Sequence, residues 1–339
     1  MPRTQETVQA ASSITRLTQL GSTNALTAEQ SEEIKANLKQ IVAQGAPAVA
    51  AIRDFLQKDL DIPFGKQNQP VAANAASSPP SVRMALIESL GQIGGPEAIS
   101  VAGELLQRTL APSEIGLLAK TLEQLAPGDY RDAAVNASRE ALAAAAKNPV
   151  NNEQQVAGLF QILSTYGGPS VIGDLESLSG QWRYYGLMAI AGMPESQGVS
   201  TLIDMATKPG AQATGYQQIA LQMLAQLAPS NESARNALLE QTKNGQVSNW
   251  PEVANTLSGA RLQYGFDQLG YEKETNPGRI TQTHHVVYGN QSFHTVNTEL
   301  SQNQMEQNRS LVDQLMNLTT DSVAREALQR AKDTLSQTK

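Results

Sequence analysis

Apolar residues in this chain recur at three- and four-residue steps in short runs. Each run stops at a small residue or glycine beside a proline, and a second run follows. In the clearest copy Val82, Leu86, Ile87, Leu90 and Ile93 fall on one stripe, the spacing of side chains that share a helix face. Gly94 and Gly95 then stop the helix, because glycine accepts the left-handed backbone of a helix C-terminus. Pro96 opens the next helix at a position where its missing N–H costs nothing. Ile99, Ala102, Leu105 and Leu106 face back onto the first helix, while Gln92 points to solvent. The other turns fall at Gly45-Ala46-Pro47, Ala126-Pro127-Gly128, Gly167-Gly168-Pro169 and Ala228-Pro229, with a looser one at Gly192-Met193-Pro194.

The copies align position by position. At one constant offset Leu86 falls on Leu159, Leu90 on Leu163, Ile93 on Tyr166, Pro96 on Pro169, Ile99 on Ile172 and Leu105 on Leu178. Self-similarity at periods of a few tens of residues marks a helical repeat, in which each helix pair buries its apolar face only against its neighbours. The expectation is an all-α fold, an α-solenoid of helix pairs at about 29–58, 81–110, 113–147, 151–179, 181–208 and 214–243. A polar amphipathic helix within 1–28 caps the N-terminal end, and the repeats fill 29–245. Residues 59–81, with Pro63, Pro70, Pro79 and Pro80 among Asn, Ala and Ser, cannot bury a core. They read as a long loop, either a disordered insertion or a partner contact.

The run from Val82 to Ile99 resembles a HEAT-like repeat of the kind found in phycobilin lyases and bacterial repeat scaffolds. The resemblance is close also for the copy turning at Pro169 and loosens elsewhere, covering 29–245 in all. It implies a right-handed superhelix with an extended binding surface, and it implies no chemistry.

The pattern breaks in 246–339. After Trp250-Pro251 a half-repeat, Glu252–Arg261, leads to aromatic residues at Tyr264, Phe266 and Tyr271. Residues 281–296 are β-branched and aromatic around Gly289-Asn290, the signal of a β-hairpin with a two-residue loop. That loop pairs Tyr288 with Gln291, Val286 with Phe293 and His285 with His294. The Val286/Phe293 face is expected to dock on the last helices. His285 and His294, opposite each other, are candidate metal ligands if Asp267, Glu272 or Glu274 join them. The plain alternative is a solvated or partner-facing hairpin without metal. From Thr298 the chain is helical again. Leu300, Met305, Leu311, Val312, Leu315, Met316 and Leu318 form one stripe. Asp321 stands as an N-cap before a second stripe of Val323, Ala327, Leu328, Ala331 and Leu335. These helices are expected to cap the open end of the solenoid.

Composition narrows the function classes. Aromatics are only 4% of the 339 residues, so the core must be built of Ala, Leu, Ile and Val. A net charge of −7 argues against nucleic acid as the partner. No run approaches the roughly 20 apolar residues of a membrane span. Cysteine is absent, which rules out thiolate chemistry and disulfides. With the Gln/Asn richness it points weakly to an exported, periplasmic protein, although Met1–Leu20 is too polar for a signal segment. No phosphate loop, nucleophile elbow or metalloprotease signature occurs. No cofactor and no enzyme activity are expected. Trp182, Arg183, Tyr184 and Tyr185 are the densest aromatic group in the repeats. Trp182 and Tyr185 share a helix face: packed inward they fill the core, and exposed beside Arg183 they make a partner-binding hot spot. The leading expectation is a protein-binding scaffold. The alternatives are a metal- or ligand-binding module on the hairpin and a lyase-like HEAT-repeat enzyme.

Overall fold

The computed structural model describes residues 5–21, 26–64, 79–147, 153–178, 182–207, 214–264, 284–288, 291–297 and 300–337. The side chains of residues 5–6, 153–155, 214 and 261–264 and of strands 284–288 and 291–297 are not among them. Among the described residues are sixteen α-helices, two short 3-10 helices and three strands, in two compact units, Met1–Asn151 and Asn152–Lys339.

Unit 1 comprises α1 (Gln5–Gly21), α2 (Ala28–Ala43), α3 (Ala46–Leu56), α4 (Val82–Ile93), α5 (Gly95–Leu106), α6 (Pro112–Leu125) and α7 (Arg131–Lys147). Its helices stack in two rows. α2, α4 and α6 lie side by side in one, and α1, α3, α5 and α7 in the other. This is the packing that helix pairs with one apolar stripe each must adopt. A single pair cannot cover its own stripe, and the neighbouring pair does. Gly45 and Gly94 make the turns with φ of 62° and 66°, a region that costs a side-chain-bearing residue strain. Starts are fixed by side chains: the Thr27 hydroxyl accepts from the Gln30 N–H in a capping box, and the Ser81 hydroxyl from the Met84 N–H. On the surface Arg16 of α1 grips Glu33 of α2. That hydrogen bond, helped by the opposite charge, holds the Glu33 carboxyl below its ordinary range. The long loop is pinned at its roots, where Val82 N–H donates to Ile62 O and Phe64 N–H to Pro80 O. Residues 65–78 of that loop lie outside the described residues.

Unit 2 begins with α8 (Glu153–Tyr166), a 3-10 turn Gly168–Val171 and the short α9 (Ile172–Ser177). It continues through α10 (Trp182–Ala191), the 3-10 turn Pro194–Ser196, α11 (Val199–Thr207), α12 (Thr214–Leu227), α13 (Glu232–Lys243) and α14 (Trp250–Leu257). Strands β1 (Ala260–Tyr264), β2 (His284–Tyr288) and β3 (Gln291–Asn297) follow, then α15 (Gln302–Leu318) and α16 (Ser322–Gln337). Again one row holds α8, α10, α12, α14 and α16 and the other α11, α13 and α15.

Two features here were not anticipated. Helix α14 is not a lone half-repeat. It lies beside α12 as a first helix does, and α15, packed on α13 and α14, takes the place of its second helix. Buried Asn308 of α15 secures the pair by donating to Leu257 O at the end of α14, 2.6 Å away. The strands are thus inserted between the two helices of a seventh pair. The sheet also has a third member. In the order β1-β3-β2, β1 runs antiparallel to β3, and β3 to β2 with His285 opposite His294 and Val286 opposite Phe293.

Burial follows the aligned repeats closely. Leu86 and Leu159 are 0% exposed, and Leu90 and Leu163 are 0% and 1%. Ile93 and Tyr166, and likewise Ile99 and Ile172, are all half-buried, so Ile93 sits at the margin of its stripe rather than inside it. Leu178 is half-buried where Leu105 is buried, because α9 has ended one residue earlier. In the last helices the expected stripes need correction. Leu318 and Val323 are 40% and 55% exposed. The buried positions of α16 are Ala324, Ala327, Leu328, Ala331 and Leu335, a helical phase that leaves Val323 outside. Asp321 does cap, its carboxylate accepting from the Val323 N–H.

Candidate partner-binding site

The side chains with the least ordinary environments sit at the starts of the first-row helices. In unit 1 Arg83, second residue of α4, is almost wholly buried. Its Nε and Nη2 donate to the two carboxylate oxygens of Glu114, at 2.6 and 3.2 Å, and its Nη1 to Leu56 O at 2.8 Å. Glu114 is the third residue of α6, the next helix in the row. Asp59, just beyond α3, lies 3.7 Å from the same guanidinium. A buried charge demands such pairing, since removing either ion from water costs several kcal/mol. The arrangement locks α3, α4 and α6 together and engages all three nitrogens of the guanidinium within the chain.

In unit 2 the same place is filled differently. Arg183, second residue of α10, lays its guanidinium 4.2 Å from the ring centre of Tyr216, the third residue of α12. Tyr184 approaches the same ring at 5.1 Å with the planes tilted by 43°. All three side chains are half-buried. The group therefore brings a cation and two tyrosine side chains, each partly open to solvent, to the surface of unit 2.

Of the proposed hot-spot residues, only Arg183 reaches that surface. Trp182 and Tyr185 are 7% and 2% exposed, and Tyr185 stacks on buried Phe160 of α8 with ring centres 5.4 Å apart. They are core, and the exposed reading of these two is corrected by the helix phase. Positions 182, 185, 186 and 189 face inward, so 183 and 184 face out. Tyr184 and Tyr216 were missed. The signal for Tyr184 was that phase, and for Tyr216 its place three residues into the next first-row helix. Below Tyr185, Gly186 stands where α4 has Leu86. A Cβ there would come within 2.7 Å of Leu175 O, so the close passage of α9 requires glycine.

The side chains of His285 and His294 lie outside the described residues, as do Asp267, Glu272 and Glu274, and only the backbone register of the two histidines is given. Among the described residues no group of three His, Asp or Glu side chains is placed to hold a metal ion. Among them too, no helix is long and apolar enough to cross a membrane.

With the α4–α5 pair and its neighbours placed, the comparison with protein families falls on the copy that the resemblance singled out. Residues 82–101 match the family model of the PBS lyase HEAT-like repeat. This segment is a HEAT-like repeat. The match spans α4 and the first half of α5, ending just before the back-facing Ala102, Leu105 and Leu106. No curated protein matches the chain. Among solved structures, a chain described as "Computational Design of Self-Assembling Cyclic Protein Homooligomers" aligns over 98% of this chain and 91% of its own length at 11% identity. Its TM-score of 0.15 is too low to mark a shared fold.

Proposed function

We propose that this HEAT-like repeat chain is a non-catalytic scaffold that binds another protein. Its stacked pairs are read as right-handed α-solenoid segments whose helix rows offer an extended surface. The observation that carries the reading is the surface group of Arg183, Tyr184 and Tyr216. Trp, Tyr and Arg dominate the residues that hold protein interfaces together, because each joins a large apolar area to a polar tip. The three side chains already brace one another, so little rotamer freedom is left to lose on binding.

The test is to place a photo-crosslinking amino acid at position 184, and separately at exposed Lys243 of α13, in the organism that makes the protein. A discrete adduct with one macromolecule from position 184 and not from 243 supports the reading. Absence of any discrete adduct, or equal adducts from both positions, contradicts it.

A second reading rests on the backbone register of His285 opposite His294. Imidazoles on facing strands can converge on a divalent cation, and such binding needs them neutral. Titration with zinc near neutral pH, repeated below about pH 6 and on His285→Ala, separates a metal site from a plain sheet.

A further inference from the structure

We infer that the Arg183–Tyr184–Tyr216 group takes a carboxylate, supplied by an Asp or Glu side chain on an extended segment of the partner protein. The inference rests on the partner-binding reading above and names the chemistry that would be recognised.

Arg83 and Arg183 are equivalent in place and differ in what they meet. Each stands second in a first-row helix and reaches the third residue of the next one. In unit 1 the chain supplies the carboxylate itself, through Glu114, and both oxygens engage the guanidinium fork. In unit 2 the third residue is an aromatic ring. A guanidinium lying on a ring satisfies its face and leaves its in-plane N–H groups pointing outward, where carboxylate recognition takes place. Among the described residues those N–H groups of Arg183 meet no acceptor and no carboxylate pairs with them. The Tyr216 ring against the guanidinium lowers the local polarity on that side, which strengthens a charge-assisted bond.

A phosphate is the poorer fit. It carries close to two negative charges, and the group holds one cation. The chain itself is acidic, with a net charge of −7, so an acidic segment has no general attraction to its surface. Recognition then depends on this one arginine, and the dependence can be measured.

Random peptides displayed on phage are selected on the full chain, and the retained peptides are synthesised and titrated individually. The expected result is a shared Asp or Glu. Changing it to Asn or Gln in the peptide, or making Arg183→Gln in the protein, should each weaken binding by about tenfold or more. The two changes together should cost little beyond either alone. Arg183→Lys, which keeps the charge and loses the fork, should fall between, and Lys243→Gln should change nothing. Unaltered circular dichroism of the variants keeps folding out of the comparison. Retained peptides with no acidic residue in common, affinities indifferent to Arg183→Gln, or no retained peptide would overturn the inference. If position 184 still crosslinks to one partner while peptide binding ignores Arg183, the carboxylate inference fails and the scaffold reading stands.

Discussion

Arg83 and Arg183 occupy one structural position in two different surroundings, and the contrast separates what holds a repeat together from what it can offer outward. Arg83 is sealed between Glu114, Leu56 O and Asp59, with its side chain 6% exposed and that of Glu114 10%. Arg183 rests on Tyr216 beside Tyr184, half-open to solvent. The helices beneath them differ too. Where α4 has Ala85 and Leu86, α10 has Tyr185 and Gly186: the ring stacks on Phe160, and the glycine makes room for the backbone of α9 at Leu175. A repeat tolerates such exchanges because each joint answers only to its neighbours. One joint is closed by a carboxylate of its own chain, and in the other the arginine rests on a ring at the surface.

The largest expected effect tests the sealed joint. Replacing Arg83 with Leu strands the Glu114 carboxylate in a buried site and should cost about 3–5 kcal/mol in chemical denaturation. The double variant Arg83→Met/Glu114→Leu should recover most of that loss, since neither ion is then left alone. If the double variant is as unstable as the single, the cost lies in packing rather than in charge.

Next come the aligned leucines. Leu90→Ala and Leu163→Ala, at 0% and 1% exposure, should each cost about 2–5 kcal/mol through lost burial and the cavity left behind. Gln92→Ala, on the exposed side of α4, should be silent. Small, equal effects at all three would show that the two repeats are not in the assumed register.

Arg183→Gln should cost only about 0.5–1 kcal/mol of stability, as expected of a solvent-reached cation–π contact. The same denaturation assay measures it. A loss as large as that at Arg83 would make the second joint structural and withdraw it from partner binding.

The smallest effect concerns charge at the surface. The hydrogen bonds from Arg131 hold the Glu123 carboxyl below its ordinary range, as Arg16 does for Glu33. A carboxylate whose folded pKa is lowered adds stability above its unfolded value, and that share is lost as pH falls through the lowered one. Both groups are solvent-exposed, so the contribution is slight and screened by salt. Following the two carboxyl resonances by NMR should place both midpoints below the ordinary glutamate value. Arg131→Gln should move Glu123 up toward that value, short of it while the Gly128 N–H still donates to the carboxylate, and leave Glu33 where it was.

Much of this fold was legible in the sequence because its information is local. A stripe at helical spacing, a glycine able to turn and a proline able to start give each pair within a few residues, and the pairs at Pro47, Pro96 and Pro229 stand as read. The turn after Ala228 is closed in the same local way, by the Asn231 side chain accepting from the Ala234 N–H. What was not legible depends on residues far apart in the chain. Nothing near Arg83 announces that Glu114 will meet it, because that pairing forms only once α6 is laid beside α4. Tyr216 reaches Arg183 in the same non-local way. The pairing of α14 with α15 was hidden by the strands inserted between them, since a repeat is recognised by spacing and the insertion destroys the spacing. Strand β1 was hidden by its neighbour, where Ala260 and Leu262 continue the apolar pattern of α14 after the helix has stopped at Leu257.

The contrast between the two joints is tested most directly by a pair of double-mutant cycles, one on Arg83 and Glu114 and one on Arg183 and Tyr216, read as coupling free energies in the same denaturation assay. A coupling of about 2 kcal/mol or more is expected for the buried ion pair, within the roughly 0.5–3 kcal/mol range of contacting residues. For the arginine on its ring the expected coupling is about 1 kcal/mol or less. Couplings of equal size in the two cycles, or a larger one at Arg183, would contradict the division into a sealed joint and an open one.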